Sequence, residues 1–367
     1  MLNIIKQKIK NFFLLKKIGA PLHIPFLAAS CMGIPLAVAI YFNNIKAGLT
    51  ASLAALIVVY FPLFAPTSER IVTLLACSFT FIISYAIGIL FSFNHLISSI
   101  IFGVFAMVVH WLSSYLKLKP PKSFFFIMIA ATASCIPHNV HKIPENIGLL
   151  ALGAIFTSSV AFFYSLIINR NRKSINSGTI SILLKKNRYT DFIESVILGL
   201  FMFISLELGF LLKINNPYWI PVSCLAVMQG ATKSHIWQRV IQRIIGTFIG
   251  LGLCWIILLL VKKIWIICLV IVILQFILEI LVPRNYAVAV IFITPLTILL
   301  TEASNPLINN PNMFISIRFF NTLLGSSIGA IGGWVIYHEK IHYNAIQKIR
   351  KSKKYHYFFQ KKVVHRH

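Results

Sequence analysis

Acidic residues are scarce in this chain, and charged residues of any kind are few. Of its 367 residues, eight are Asp or Glu and 34 are Lys or Arg, so that only 11% are charged. A soluble domain carries about 25% charged residues and can cover itself with a hydrated surface. This chain is 58% hydrophobic, which excludes a soluble globular protein and predicts an integral membrane protein with lipid as its solvent.

Paired cysteines and a cleavable leader are also missing from the sequence. The six cysteines all lie in apolar runs and none forms a C-x-x-C pair, so neither a disulfide framework nor a cysteine metal site is predicted. We expect no metal and no cofactor. Residues 1–20 are basic and amphipathic, and no small-residue cleavage site follows a short apolar core. They are predicted to form a cytoplasmic interfacial helix.

The sequence is rich in apolar runs long enough to span a bilayer, which takes about 20 residues of helix. Twelve candidate membrane helices lie near residues 24–41, 46–66, 71–92, 96–115, 123–137, 146–168, 193–213, 217–230, 240–261, 264–281, 286–301 and 318–337. The predicted fold class is therefore all-α and polytopic. Two of the runs, 123–137 and 217–230, are short enough to be tilted, broken or re-entrant.

The distribution of positive charge supports this count and orients the helices. With the N-terminus in the cytoplasm and alternating crossings, all but six of the 34 Lys and Arg residues lie on the cytoplasmic side. The six outer ones are Lys46, Lys142, Lys213, Lys262, Lys263 and Arg318. A missed helix would swap every later loop, so the bias predicts twelve spans with both termini in the cytoplasm. The net charge of +26 thus orients helices and does not indicate nucleic acid as a partner.

The chain also looks like one six-helix unit used twice. Each half has a proline-bearing second helix, a basic loop into its third helix, and a last helix rich in small residues. The predicted units are 21–168 and 191–337, joined by a cytoplasmic linker at 169–190 and followed by a basic cytoplasmic tail at 338–367. Because six is even, the two units enter the membrane in the same sense, as a parallel repeat.

Arg239 and Arg243 are the first candidate site residues, because they lie four residues apart on one helical face. Gly246 and Gly250 follow at G-x-x-x-G spacing, which allows another helix to approach closely. The alternative is that both arginines only orient the helix and extend to lipid headgroups. Arg243 lies deeper in the apolar run, which favours a functional role for it.

Two further stretches place polar groups at membrane depth. The Thr294-Pro295 pair interrupts an apolar run, removes a backbone donor and frees a carbonyl near the middle of the membrane. In the last helix, Arg318, Asn321 and Thr322 form one stripe. Gly325 and Gly329 on the same helix supply close packing, so the stripe is predicted to face the bundle interior.

These stretches together resemble the FUSC (fusaric acid resistance) family of integral membrane proteins. The matching elements are Tyr218-Trp219 with Pro221, Arg239-x-x-x-Arg243-x-x-Gly246-Thr247-x-x-Gly250, Ile293-Thr294-Pro295-Leu296 and Arg318-x-x-Asn321-Thr322-x-x-Gly325. The resemblance covers the second half well, and the first half is a degenerate copy. It implies a transporter-like membrane protein that handles organic anions and is related to exporters of aromatic carboxylic acids. Where the family often has Asp, this chain has Asn321, which cannot titrate.

Glu207 is the candidate for proton coupling, because a carboxylate inside an apolar run must face the bundle or stay protonated. The alternative is a structural pair with Arg318. A surface pair with Arg284 explains Glu279, and a structural hydrogen bond across helices is the favoured reading of His110.

One motif points to a different chemistry. His338-Glu339-Lys340-Ile341-His342 spells the H-E-x-x-H pattern of zinc peptidases. It has no G-x-x-H extension and no acidic residue after Glu339 to complete a catalytic zinc site, and nearby lysines oppose a divalent cation. We therefore interpret it as a chance match at the bilayer edge and predict that the protein is not an enzyme.

The sequence thus favours efflux of organic anions, aromatic or other carboxylates, across the bacterial inner membrane. In this hypothesis Arg239 and Arg243 gather the anion at the inner mouth, Thr294, Pro295, Asn321 and Thr322 line the middle, and Arg318 lies near the outer mouth. A guanidinium suits a carboxylate because its planar donors bind both oxygens. The alternatives are a passive anion channel, the metalloprotease and a non-transporting envelope scaffold. A periplasmic adaptor protein and a homo-oligomer remain open as partners.

Overall fold

Helices account for all the regular structure in the described part of this chain. The computed structural model describes residues 21–336 except 63–64, 117, 119, 170–187, 231, 262 and 303–310. The first half contains α1 (His23–Tyr41), α2 (Ile45–Ser52) with its 3-10 continuation (Leu53–Tyr60), α3 (Thr67–Leu90), α4 (His95–Tyr115), α5 (Phe124–Ser134) and α6 (Lys142–Asn169). The second half contains α7 (Arg188–Leu211), α8 (Trp219–Met228), α9 (Lys233–Leu260), α10 (Ile264–Leu281), α11 (Tyr286–Glu302) and α12 (Pro311–Ile336).

The prediction of an all-α polytopic membrane protein with twelve helices is confirmed. Eight helices are long and apolar enough to cross a membrane, and α2 with its continuation, α5, α8 and α11 are shorter apolar helices. The short runs predicted at 123–137 and 217–230 are the two shortest of these, with 11 residues in α5 and ten in α8. Ten residues of α-helix extend about 15 Å, which is half of a bilayer core.

Several helix ends differ from those predicted from the apolar runs. α9 begins at Lys233 and α12 at Pro311, each seven residues before its predicted start. The first seven residues of α9 are mostly polar, so a hydrophobicity pattern does not detect them, whereas those of α12, PNMFISI, are mostly apolar and precede Arg318, where the predicted helix begins. The predicted tail, most of the linker and residues 1–20 lie outside the described residues.

The helix contacts of the first half recur in the second. α3 packs on α5 and α6, as α9 packs on α11 and α12, and α2 packs on α1 and α6, as α8 packs on α7 and α12. The halves join through two matching seams, which are α4 on α7 and α1 on α10. If each helix of one half is exchanged for its counterpart in the other half, α4 for α10 and α7 for α1, one seam becomes the other. The two halves are therefore related by an internal two-fold arrangement.

The repeat extends to backbone detail at the end of the first helix in each half. Asn43 and Lys213 both adopt left-handed backbone conformations, with φ of 52° and 51°. The residue after each of them donates its amide to a carbonyl five residues earlier, at 2.9 Å in the first half and 3.1 Å in the second. Because left-handed φ is rare for residues other than glycine, this shared geometry marks the same turn in both units.

α8 lies at the centre of the second half. All ten of its residues are buried, and it contacts α5, α7, α9 and α12. Pro221 falls in its first turn, where the missing backbone N–H breaks no intrahelical bond. Gly325 of α12 lies against the carbonyl of Ile220, and a Cβ at Gly329 would stand 2.7 Å from the carbonyl oxygen of Cys224. Glycines thus let the backbones of α8 and α12 approach closely.

α9 and α12 run antiparallel beside α8. Near one end, Gly333 of α12 lies against Ile236 of α9, and further along the rings of Phe248 and Phe319 have centroids 5.7 Å apart. These two contacts fix which residues of α9 and α12 lie at the same level.

Candidate functional site

The middle of α9 carries a buried positive charge. Arg243 is only 3% exposed, and its Nη2 donates to the hydroxyl of Ser223 on α8 across a long 3.4 Å. Its Nε is buried and has no hydrogen-bond partner among the described residues. Arg243 follows the start of α9 by ten residues, so it lies about 15 Å along the helix, at membrane depth.

Two further hydroxyls belong to the same region. Thr247 is one turn after Arg243 on α9, is 1% exposed, and its Oγ1 has no hydrogen-bond partner in the described residues. Ser326 lies two turns from Gly333 on α12, and Arg243 lies two turns from Ile236 on α9. Because Gly333 and Ile236 are in contact and the helices are antiparallel, Ser326 and Arg243 lie at the same level. Ser326 is fully buried and its hydroxyl is also unpartnered there.

We refer to Arg243, Ser223, Thr247 and Ser326 as the Arg243 cluster. All four side chains can donate hydrogen bonds, and three of them have a buried polar atom without a partner in the described part of the chain. Arg243 makes no ion pair with a carboxylate there. An uncompensated buried ion costs several kcal/mol, and a negatively charged ligand bound at Arg243 would recover part of this energy.

Arg239 lies one turn before Arg243 and is only partly buried. Its Nη1 donates to the carbonyl of Ala226, at 3.0 Å, and its guanidinium lies 5.0 Å from the ring centroid of Tyr286. The structure therefore places Arg239 beside the last turn of α8 and the first turn of α11. It is more accessible than Arg243 and already has polar and aromatic partners.

Arg318, Asn321 and Thr322 meet the start of α8 instead of the Arg243 cluster. The guanidinium of Arg318, which is 2% exposed, lies 3.0 Å from the ring centroid of Trp219, a cation–π contact. Asn321 donates from Nδ2 to two successive backbone carbonyls in the α7–α8 turn, at 3.1 and 3.2 Å. The hydroxyl of Thr322 donates back to the carbonyl of Arg318 at 2.9 Å. Asn321 thus joins α12 to the turn that precedes α8, and Arg318 joins it to the first residue of α8.

Thr294 and Pro295 lie where α11 crosses α9. The helix continues through Pro295 without interruption, and the hydroxyl of Thr294 donates to the carbonyl of Val290 at 2.8 Å. The carbonyl of Ile291, which Pro295 deprives of its usual donor, lies 2.6 Å from where a Cβ on Gly250 would be. Because Gly250 has no side chain, α9 can pack closely against α11 beside Pro295. Gly246 allows the same close packing against Val290 one turn earlier.

Glu207 does not form the alternative pair with Arg318. Its Oε2 is buried and accepts no hydrogen bond in the described residues. Gly332 of α12 lies against Phe201 of α7, and these helices are antiparallel, so Glu207 is level with residue 326. Arg318 is eight residues beyond that level, about 12 Å along α12.

The two remaining polar candidates have structural partners. His110 shares a hydrogen bond of 3.1 Å with Ser123, which precedes α5, in agreement with the predicted bond across helices. Glu279 does not pair with Arg284 as predicted: it accepts a bond of 2.9 Å from Gln275 on its own helix, and no ion pair of Glu279 is found among the described residues. The residues of the H-E-x-x-H motif, 338–342, lie outside the described residues, among which no group of three or more His, Cys, Asp or Glu is placed to hold a metal.

Sequence reasoning missed three of the four members of the Arg243 cluster. Thr247 appeared only within the stretch that resembles the family, and neither Ser223 nor Ser326 was singled out. One available signal was the Arg-x-x-x-Thr spacing, which puts Arg243 and Thr247 on one face of α9. Ser223 and Ser326 join them only through the registers of α8 and α12.

Comparisons with known proteins point to the same half of the chain. The model of the fusaric acid resistance protein-like family matches residues 200–332. The chain is 37% identical over 122 residues to a protein of Bacillus subtilis (strain 168) described as uncharacterized membrane protein YvaC, a match that spans 33% of this chain and 19% of that protein. No solved structure matches the chain. The second six-helix unit, which contains the Arg243 cluster, is therefore similar to the fusaric acid resistance protein-like family over most of its length.

Proposed function

We propose that the protein exports small organic anions, carboxylates in particular, across the bacterial inner membrane and holds them at the Arg243 cluster. The family match suggests a transporter-like role, and the observation that carries the proposal is the state of Arg243. This arginine is 3% exposed at membrane depth and has no counter-ion among the described residues. A carboxylate offers the two oxygens that a guanidinium fork binds best.

The other polar residues of the second half take places along this pathway. Arg239 is accessible beside the predicted cytoplasmic loop between α8 and α9, and attracts the anion to the inner side. Arg318 and Asn321 lie near the predicted outer end, where they hold α12 against the α7–α8 turn. Both termini are cytoplasmic in this proposal, in agreement with the positive-inside distribution.

The test is export of labelled carboxylates by the full chain in proteoliposomes, with Arg243→Leu as the principal variant. Leucine fills much of the same volume and removes the charge, and replacing a buried ion by an apolar side chain is often neutral or stabilising by about 1–4 kcal/mol. We expect Arg243→Leu to keep or raise the unfolding temperature. Transport should fall at least about tenfold, because charge-assisted hydrogen bonds of about 1.5–3 kcal/mol each are lost.

Arg284→Leu is the matched control, since it removes the same charge from the turn between α10 and α11, away from the cluster. It should transport at the wild-type rate. Undiminished transport by Arg243→Leu, with a panel of aromatic and aliphatic carboxylates, would show that the anion does not bind at this arginine.

A further inference from the structure

The seam between α4 and α7 brings polar groups of the two halves together at a known level. A Cβ on Gly103 would stand 2.7 Å from the Cβ of Phe203, and the rings of His95 and Phe210 stack with centroids 4.4 Å apart. The two helices are therefore antiparallel, and their register is fixed at two points along the seam.

Ser99 and Glu207 lie between these two fixed points. Ser99 is four residues before Gly103 on α4, and Glu207 is four residues after Phe203 on α7. α4 and α7 are antiparallel, so four residues back along α4 and four residues forward along α7 lead toward the same end of the seam. Ser99 and Glu207 are therefore level with each other. Ser98 lies on the same turn of α4.

All three of these side chains carry a buried oxygen that lacks a partner. Ser98 is 2% exposed and Ser99 is fully buried, and neither hydroxyl has a hydrogen-bond partner in the described part of the chain. The same holds for Oε2 of Glu207, whose carboxylate lies about 12 Å along the bundle from the level of Arg318. A buried polar atom without a partner costs about 1–3 kcal/mol, so three in one seam favour a ligand that would satisfy them.

We propose that the α4–α7 seam is a binding site for a small monovalent metal cation of the Na⁺ type, with Glu207, Ser99 and Ser98 as oxygen ligands. Carboxylate and hydroxyl oxygens are the ligands that hard cations prefer. One cation also satisfies several oxygens at once, whereas a proton on Glu207 would serve a single acceptor. The site lies between the repeats, where coupling ions bind in other repeat-built transporters.

The direct test is the unfolding temperature of the purified full chain in nanodiscs, with NaCl replaced stepwise by choline chloride at constant ionic strength and pH 7. A cation that binds the folded chain raises this temperature as its concentration exceeds the dissociation constant. We expect a saturable rise with Na⁺, none in Glu207→Gln, and a rise displaced to about tenfold higher Na⁺ in Ser99→Ala.

Two variants are matched controls and should keep the wild-type rise. Ser84→Ala removes a buried serine whose hydroxyl already donates to the carbonyl of Thr80 at 2.6 Å. Glu279→Gln removes the carboxylate of α10, a helix of the other seam, which is bonded to Gln275. A wild-type chain indifferent to Na⁺ would overturn the proposal, as would an undiminished rise in Glu207→Gln. The proposal would also be overturned if lowering the pH raised the unfolding temperature of the wild type while Na⁺ did not. That outcome would assign Glu207 to a proton.

This test is separate from that of anion export. No organic anion is present in it, and Arg243→Leu should show the same rise with Na⁺ as the wild type. Loss of the cation effect would therefore leave the anion proposal standing, and loss of anion transport would leave the cation site standing.

Discussion

The two halves share a scaffold but differ in what they bury at its centre. A shift of about 170 residues brings Glu69-Arg70 of α3 onto Gln238-Arg239 of α9, and it then matches Leu74 with Arg243. Leu74 is 1% exposed and belongs to the hydrophobic core, whereas Arg243 at the matching place is a charge without a counter-ion in the described residues. One half has kept an apolar centre and the other has a polar one.

The neighbouring hydroxyls show the same difference. The shift matches Ser78 with Thr247, and Ser78 shares a hydrogen bond of 2.7 Å with Ser158 on α6. Thr247 has no such partner among the described residues. Ser78 thus has a partner within the first half, whereas Thr247 leaves a hydroxyl donor available in the second half. This contrast favours the second half as the part that binds the proposed organic anion.

Leu74→Arg should have the largest effect, because it places an uncompensated charge in the half that has no donors arranged for an anion. We expect a loss of about 3–5 kcal/mol, which is the cost of an unpaired buried charge. Thermal unfolding in nanodiscs measures it, and Leu74→Met is the conservative control, with an expected loss below about 1.5 kcal/mol. If Leu74→Arg is as stable as the wild type and gains anion binding, the two centres are equivalent and the contrast is wrong.

Alanine at the helix-crossing glycines should have an intermediate effect that is equal in both halves. Gly153 lies against the carbonyl of Ala51, as Gly325 lies against that of Ile220, so a Cβ at either glycine meets backbone that cannot move aside. We expect each Gly→Ala variant to lose about 1–3 kcal/mol of stability.

Each half offers its own control for the glycine variants. Among the described residues, no atom beyond the glycine's own stretch of helix lies within 4 Å of where a Cβ on Gly148 or Gly252 would be. Alanine there should stabilise the helix by about 0.5–1 kcal/mol. A large difference between Gly153→Ala and Gly325→Ala would show that the scaffold itself, and not only its centre, differs between the halves.

Removal of the two matched hydroxyls should have the smallest effects, with opposite signs. Ser78→Ala breaks the bond to Ser158 and should destabilise the protein by about 1 kcal/mol. Thr247→Val removes a hydroxyl that has no partner and should stabilise it by about the same amount, while weakening carboxylate binding roughly 2- to 10-fold. Unfolding temperatures and equilibrium binding of a labelled carboxylate separate the two results, and a destabilised Thr247→Val would mean that its hydroxyl is engaged in the folded protein.

The fold was largely readable from the sequence, because lipid imposes a strict length on each apolar helix. The twelve helices, the two short ones and the repeat all follow from apolar runs, prolines and the placement of Lys and Arg. The first turns of α9 were missed because they are polar and hydrophobicity carries no signal there, and those of α12 were missed because Arg318 interrupts their apolar run. The two seams, α4 on α7 and α1 on α10, were also beyond sequence reasoning, because contacts between helices depend on register and rotation, which apolar runs do not reveal.

The candidate site was readable only in part. Burial of Arg243 and Arg318 in the bundle could be expected from their place in apolar runs. Their partners could not be predicted. Trp219, which contacts Arg318, and Ser223, which bonds Arg243, both lie on α8, and contacts between helices depend on register and rotation. For the same reason, the sequence left open a pairing of Glu207 with Arg318 that the structure does not show. Both residues lie toward the predicted outer side, but the packing of α12 on α7 separates their levels.

The burial of α8 on every side has a consequence for which substitutions the chain can tolerate. α10 is the most apolar of the eight candidate spans in the described residues, with a mean hydropathy of 2.9. Only 28% of this 18-residue helix is buried within the protein, so much of its surface is left to face lipid. One hydrophobic residue can replace another there with little effect. In α8, where every residue meets protein, even Val for Ile would leave a gap or a clash. Saturation mutagenesis should therefore find that the ten positions of α8 tolerate far fewer substitutions than the positions of α10.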